Sequence, residues 1–409
     1  MIIERLQAEH VGPFKSLDVT FNPHMNVIVG VNGVGKTSML RCITYCLSNN
    51  NLEYLRFYKD ASFKLTCEQN GRQILYGVDQ LVSKDQGYRH CSPERYNLNH
   101  QENIENKSII EGHQYNLLAI GAYRYISYSL IDGMKREAPI SDRRKEYARN
   151  NARYIENASM PNIKQWMINR YFQIEKDWAK VEKANWNKII KQIPKISPYE
   201  TCLKLERIER DLEPIFSVNG IECYLEELSS GFKSVLSIIF MIVDWIEGIN
   251  ERGNAKIDEA EGTVLIDEID AHLHPSWQAT ILGALRSIFP KLQFIVTTHS
   301  PNVLMSANSG EVILFTNNDG VVKEQPVDKS YGAWLISDVM TDVMQTPNVD
   351  RVSIYDLLEE LDMAFQTNSK TKFKNRLEKL KHILSPSDTI LKVYNIKLAQ
   401  LQLNHDKAE

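Results

Sequence analysis

Eight residues near the amino terminus, Gly30-Val31-Asn32-Gly33-Val34-Gly35-Lys36-Thr37, match the pattern GxxxxGK[ST]. The chemistry open to such a segment is holding a triphosphate. Glycines let successive backbone N–H groups curl toward an anion, and a following helix adds the positive end of its dipole. In this reading Asn32, Gly33, Val34 and Gly35 form the cradle and Lys36 reaches the β and γ oxygens. The Thr37 hydroxyl ligates Mg²⁺, and Ser38 offers a second hydroxyl on the α-phosphate side.

A second set of chemical groups lies far downstream. Thr263-Val264-Leu265-Ile266-Asp267-Glu268 is an apolar strand ending in two acids. Strands of open α/β sheets deliver such groups to the edge where ligands sit. Asp267 is expected to hold Mg²⁺ through water. Strand alternation sends Glu268 to the opposite side, where it polarises the attacking water as a general base. Leu228-Ser229-Ser230-Gly231-Phe232-Lys233 precedes an apolar helix, with Ser229 as N-cap and Gly231 permitting close backbone approach. A free helix start is a second anion site. Two such sites for one triphosphate point to two copies of the chain.

These side chains need a scaffold. Val27, Ile28 and Val29 form a short buried strand ahead of the cradle, and Met39, Leu40, Ile43 and Leu47 give a helix after it. Ile2, Ile3 and Leu6 open one strand; Leu17, Val19 and Phe21 form another. Phe63, Leu65 and Cys67 alternate ahead of an Asn70-Gly71 hairpin signal, and Ile74 and Tyr76 continue. Residues 83–115 are polar and irregular, a surface insertion, and Leu117 to Tyr123 is a further buried strand. Residues 141–215 read as helical, ended by Pro194 and Pro198. A strand pair over 217–226, an apolar helix over 232–246 and a helix over 277–288 follow. Phe294 to Thr297 is a buried strand, and a hairpin turns at Asn318-Asp319-Gly320. From Tyr331 the chain is helical, with Pro386 separating the last two helices.

The bulk numbers bound the rest. The chain has 409 residues, 43% hydrophobic and 24% charged, which suits a globular protein of one large α/β domain with insertions, or of two to three lobes. The net charge is −4, so any nucleic-acid contact has to come from a local patch. None of the six cysteines makes a CxxC pair, Cys91 included, which fits reduced thiols. The start has no apolar signal core, and Val235 to Ile246 is too short to span a bilayer. The expectation is a cytoplasmic protein without membrane contact.

The cradle, the helix-start motif, the acid pair and Thr297-Thr298-His299-Ser300-Pro301 stand in the order of ABC ATPases, and the chain resembles their SMC, Rad50 and OLD-like branch. The helix-start motif resembles the signature usually written LSGGQ, with Ser230 for the first glycine and Phe232 for the glutamine. The resemblance implies that His299 senses the γ-phosphate, and that Asp270, within Asp267 to Pro275, faces a dimer seam. It also implies that Lys15, in Gly12-Pro13-Phe14-Lys15-Ser16-Leu17, lies on the adenosine or α-phosphate side. The loop carrying His272 and His274 fits the family without a metal. A glutamine of the Q-loop is missing; Tyr123-Arg124 stands where related ATPases carry a Tyr-Gly…Arg pattern, which implies a coupling role for Arg124.

Between cradle and signature the helix-like insert spans only residues 141–215, so a long coiled-coil arm is excluded. The fold class implied is α/β: an ABC-type P-loop head with an antiparallel β lobe, a short helical insertion and a helical tail. The divisions are 1–140 and 216–330 for the head, 141–215 for the insertion and 331–409 for the tail. Ser330 to Met340 and the helix pair after it look like the PtuA ATPases of Septu and retron-associated anti-phage systems. That resemblance implies an ATP-hydrolysing subunit using ATP and Mg²⁺, pairing as a homodimer or higher even oligomer. It implies an HNH-type nuclease partner gated by head closure, with a retron reverse transcriptase and its nucleic acid as further partners. The alternative is a DNA repair ATPase of the RecF or Rad50 type acting directly on DNA.

Overall fold

The computed structural model describes residues 1–47, 57–69, 71–78, 95–97, 116–156, 160–197, 201–250, 255–318, 321–327, 330–332, 334, 336–344, 349–367, 369–384 and 389–405. Most of the expected insertion at 83–115, Cys91, the turn residues Asn70, Asp319 and Gly320, and Pro386 lie outside the described residues. The chain forms two compact units, Met1–Met344 and Gln345–Glu409.

The first unit is built on an eleven-stranded sheet. Five parallel strands form its centre: β13 (Val312–Asn318), β3 (Met25–Val29), β12 (Leu292–Thr298), β11 (Gly262–Ile266) and β7 (Leu117–Ile120), in that order. Such strands are buried on both faces and read as near-continuous apolar runs. Their alternation sorts them between two cores. Val264, Ile266, Phe294 and Val296 face one cluster, while Leu265 and Ile295 face the other. The remaining strands are β14 (Val321–Val327), β2 (Phe14–Thr20), β1 (Ile2–Val11), β4 (Phe57–Gln69), β5 (Arg72–Val78) and β6 (Arg95–Asn97). The run from β2 to β6 is antiparallel, so the expected β lobe continues the same sheet.

Helix α1 (Lys36–Leu47) packs on one face with Ala152 and Ile155 of α2 (Ile140–Ile155). On the other face lie α3 (Ile163–Gln173), α4 (Lys180–Ile196) and α5 (Ser230–Ile249). Helix α5 is apolar nearly all round and buried accordingly, with Trp245 fully enclosed. A three-stranded sheet, β8 (Leu203–Ile208), β9 (Pro214–Val218) and β10 (Ile221–Tyr224), leads into α5.

Three expectations need correction. Residues 203–208 are a strand within the stretch read as helical, because Leu203 and Ile208 are buried beside β9. Pro194 lies inside α4, near enough to its end that only one backbone donor is lost. The first unit extends past residue 331, since Tyr331, Val339, Val343 and Met344 belong to its larger core. The second unit has its own small core of Leu361, Phe373, Leu377, Leu380, Leu391 and Tyr394. These come from α9 (Val349–Gln366), α10 (Lys370–Ile383) and α11 (Thr389–His405).

One buried ionic cluster ties the helices together. Arg170 of α3 donates to Glu247 of α5 at 2.7 Å, and Asn185 of α4 donates to the other carboxylate oxygen at 2.9 Å. Burial pushes the Glu247 carboxyl up to about 7, against the opposing pull of Arg170. Burial also lowers the pKa of Arg170, but Glu247 and Glu137 more than restore it, so the guanidinium stays charged. The folded chain therefore holds a proton at Glu247 that an unfolded chain releases. Stability from this group is fully present below about pH 4.5 and is lost as pH rises through about 7. Urea unfolding across that range should show this decline in the native chain, and Glu247→Gln should flatten it; an unchanged slope in the variant rejects the assignment.

Candidate functional site

The cradle sits at the carboxyl end of β3, between the ends of β13 and β12, where an open parallel sheet offers a crevice. Its shape explains its glycines. A Cβ on Gly30 would lie 2.8 Å from the Phe315 carbonyl oxygen. Gly35 has φ +108°, and a Cβ there would lie 2.4 Å from the Phe14 ring. Phe14, the buried first residue of β2, thus backs the loop, and its neighbour Lys15 is exposed. Asn32 and Gly33 are exposed, Val34 is buried, and Thr37 and Ser38 are partly buried in the first turn of α1. The Lys36 ammonium folds over the loop and donates to the carbonyls of Gly30 at 2.7 Å and Val31 at 3.2 Å. Burial lowers its pKa, with Asp267, Glu268 and Asp270 pulling the other way. An incoming phosphate oxygen is a stronger acceptor for this amine than either carbonyl.

The acid pair meets the cradle. Thr37 Oγ1 donates to Asp267 Oδ2 at 2.9 Å, and Thr297 Oγ1 donates to Asp267 Oδ1 at 2.6 Å. The Glu268 N–H donates to the Thr297 hydroxyl oxygen at 2.8 Å. A hydroxyl and a carboxylate in mutual contact are oxygen donors of the kind Mg²⁺ takes, so Thr37 and Asp267 fit that ion. Strand β11 ends at Ile266, and Glu268 adopts φ +45°. Its direction is therefore set by a left-handed turn and not by strand alternation, which corrects the expected reason for its placement.

Arg124 holds this turn. Its side chain is buried, and it donates to the carbonyls of Gly121 at 2.9 Å, Asp267 at 3.0 Å and Glu268 at 2.7 Å, and to the Ser234 hydroxyl at 3.0 Å. Burial brings its pKa down to about 10, against the three nearby acids, so it remains a cation near neutral pH. One guanidinium thereby joins the end of β7, both residues of the acid pair and helix α5.

An open cleft of about 560 Å³ borders the acids, lined by Tyr123, Glu268, Asp270, His272, Gln278 and His299 among others. His299 is about half exposed, with Nε2 3.5 Å from Asp270 Oδ2. Asp270 is buried, and Thr298 Oγ1 donates to its Oδ1 at 2.5 Å. Its carboxylate is held between the hydroxyl at the end of β12 and His299, at the wall of the cleft. His274 Nδ1 lies 2.9 Å from the Ser276 hydroxyl at the start of α6 (Pro275–Gln278). A larger cavity, about 690 Å³, lies on the three-stranded sheet, where Arg207 pairs with Glu209 and Glu222.

The signature-like segment stands apart from its own cradle. Ser229 occupies the N-cap position of α5 without making a side-chain cap, and Ser229 and Ser230 are exposed. Gly231 is buried, and a Cβ there would lie 3.2 Å from the His272 carbonyl oxygen. Gly231 thus permits the His272 carbonyl of its own chain to approach the start of α5 closely. The Ser234 hydroxyl lies 3.3 Å from the Ala271 carbonyl oxygen, a second link from α5 to the same turn.

Sequence reasoning missed Thr297, Thr298 and Ser234. Their signal was hydroxyls at the end of a buried strand and on an otherwise apolar helix, positions that favour hydrocarbon unless a polar partner is at hand.

Comparison with known proteins adds to this geometry. The family described as "AAA domain, putative AbiEii toxin, Type IV TA system" matches residues 25–306. The chain is 27% identical over 417 residues to the Septu protein PtuA of Bacillus thuringiensis, covering 98% of this chain and 98% of that protein. It is 36% identical over 149 residues to the "Retron Ec83 probable ATPase" of Escherichia coli, covering 36% of this chain and 27% of that protein. Among solved structures, a Pyrococcus furiosus Smc head domain bound to the C-terminal domain of ScpA matches with TM-score 0.49 and 16% identity. It covers 80% of this chain and 96% of that one. With its cradle, its acid pair and four of its five central parallel strands inside the matched stretch, the chain belongs to this family of AAA-domain P-loop ATPases.

Proposed function

We propose that this protein is the ATP-hydrolysing subunit of an anti-phage defence complex, and that ATP-dependent face-to-face pairing of two copies gates a separate nuclease. The observation that carries the enzymatic part is the contact of Thr37 with Asp267, which brings the cradle and the acid pair into one site. The likeness to PtuA over nearly the whole chain supports the defence setting.

In this reading the cradle binds the triphosphate through its backbone N–H groups, and Lys36 leaves its two carbonyls for the β and γ oxygens. Thr37 and Asp267 hold Mg²⁺, which when bound neutralises charge on those oxygens. Glu268 takes the proton of the attacking water, whose oxygen forms a bond to the γ-phosphorus while the bond to ADP breaks. His299 lies in the same cleft, within reach of the water or the γ-phosphoryl group. Lys15, exposed beside Phe14, is placed to contact the nucleotide's α-phosphate or adenosine side. Ser229 and Ser230, open at the tip of α5, close the site of the opposite copy. The unit 345–409, with its own core, is the docking element for an HNH-type nuclease.

Glu268→Gln should lower kcat by about 100-fold or more while retaining ATP and stabilising a dimer, seen as an ATP-dependent mass doubling by light scattering. Lys36→Ala should lose nucleotide binding outright. Wild-type turnover in Glu268→Gln removes Glu268 as the base. A truncation ending at residue 344 should still bind ATP but fail to co-purify with a co-expressed HNH nuclease; retained co-purification moves the docking role elsewhere.

A further inference from the structure

Between β7 and α2 the chain runs without helix or strand, a stretch long enough to be unusual in a compact unit unless it has a task. It is anchored, not loose. Arg124, Ile126 and Ile131 are buried. Beside and between these anchors four large side chains stand out: Tyr123, Tyr125, Tyr128 and Leu130 are 57%, 63%, 66% and 71% exposed. The Tyr123 and Tyr125 rings lie 6.4 Å apart, and exposed aromatic surface of this kind marks a contact site, with tyrosine favoured where such a site is buried on association.

The location of this strap identifies its partner. Tyr123 lines the cleft with Glu268 and His299. The Tyr125 ring lies 5.4 Å from the Lys233 ammonium, in the first turn of α5 just behind Ser229 and Ser230. The strap therefore bridges the hydrolytic half-site and the helix tip, the two surfaces that must meet their counterparts on another copy. Nucleic acid is the weaker candidate, because the nearest cations are already engaged. Lys164, over Tyr128, is itself buried and paired with Glu213 and Glu226, and Lys233 donates to the Glu226 carbonyl. The two cations stacked on these rings are therefore poorly placed to follow a phosphate backbone, and the exposed Lys135 and Arg136 lie beyond Leu130.

We propose that the strap from Tyr123 to Leu130 is the seat of a second copy of this chain, and that Arg124 makes hydrolysis depend on that seating. The inference rests on the face-to-face reading above and adds its contact surface and its transmission. Arg124 lies between the two exposed tyrosines on the strap, and on the inner side it grips the Asp267 and Glu268 carbonyls and the Ser234 hydroxyl. Pressure on the outer side is carried by one rigid side chain to the turn that aims Glu268. Arg124 is thus a positioning residue for the reaction.

The test combines Tyr125→Ala and Tyr128→Ala, two exposed positions outside the cleft. Placed on Glu268→Gln with ATP, the pair should weaken dimerisation about tenfold or more by sedimentation, while fluorescent-ATP binding to the monomer stays within about twofold. On the native background the pair should lower turnover at low protein concentration and recover it as concentration rises. Arg124→Gln should keep the ATP dimer and KM while kcat falls; a fall that tracks lost dimer overturns its positioning role. If Glu268→Gln alone never dimerises with ATP, the face-to-face reading itself is rejected. If it dimerises and the tyrosine pair leaves that dimer intact, the strap inference alone is overturned. The same holds if the pair instead abolishes binding of a labelled single-stranded oligonucleotide.

Discussion

The Asp267 carboxylate is where three separate parts of the chain are fastened to one another. Thr37 reaches it from the start of α1 and Thr297 from the end of β12, while the residue itself directly follows β11. A carboxylate buried this far has to be satisfied by donors. The two hydroxyls meet that need in the chain alone. Both are neutral, so the negative charge itself is left for a cation. The same arrangement that stabilises the fold thus keeps a site ready for Mg²⁺, and it fixes how the cradle and the acid pair face each other.

Around this point the polar groups form one connected set. Thr297 bonds both Asp267 and the Glu268 N–H; Thr298 holds Asp270, which stands beside His299; Arg124 grips the carbonyls of the acid pair. Each element therefore contributes through its last residue or two, at the carboxyl end of the parallel strands. A shift at any one of them is felt at Glu268, whose left-handed backbone is costly for a residue with a Cβ and persists only because its surroundings over-determine it. Strain of this kind is useful where a side chain has to be aimed more accurately than a relaxed turn allows.

Much of this was legible in the sequence, and the reason is local. The cradle reads out in eight consecutive residues, and the strands ending at Val29 and Ile266 announce themselves as short apolar runs beside polar turns. The α/β P-loop fold follows from those runs and their order. What did not read out depends on contacts between distant residues. Arg124 meets partners more than a hundred positions away, and nothing in Tyr123-Arg124-Tyr125 says that the arginine is buried and the tyrosines are not. The bond from Thr298 to Asp270 and the approach of the His272 carbonyl to Gly231 likewise join residues that the sequence keeps apart. The strand at 203–208 was hidden in a charge-rich stretch because its apolar side chains face a partner strand that sequence periodicity does not name. Pro194 misled because it ends the helix only approximately: it falls in the last turn, and the helix runs on to Ile196.

The placement of α5 bears on how nucleotide and pairing are coupled in the proposed mechanism. Among the described residues, no hydrogen bond or ion pair joins Ser229, Ser230 or Gly231 to residues 30–38 of the same chain. Yet α5 is tied to the turn that carries Glu268, through Ser234, Arg124 and the packing of Gly231 on His272. A helix tip that serves the opposite copy is thus mechanically continuous with the base of its own. A ligand shifts a two-state equilibrium only through its differential affinity for the two states. In the proposed mechanism ATP would meet that requirement, since a closed pair would add a second helix tip to the phosphates. Because the tip of α5 is tied to the acid pair of its own chain, closure around one nucleotide would then alter the geometry at the other, and the two sites of such a pair would act together.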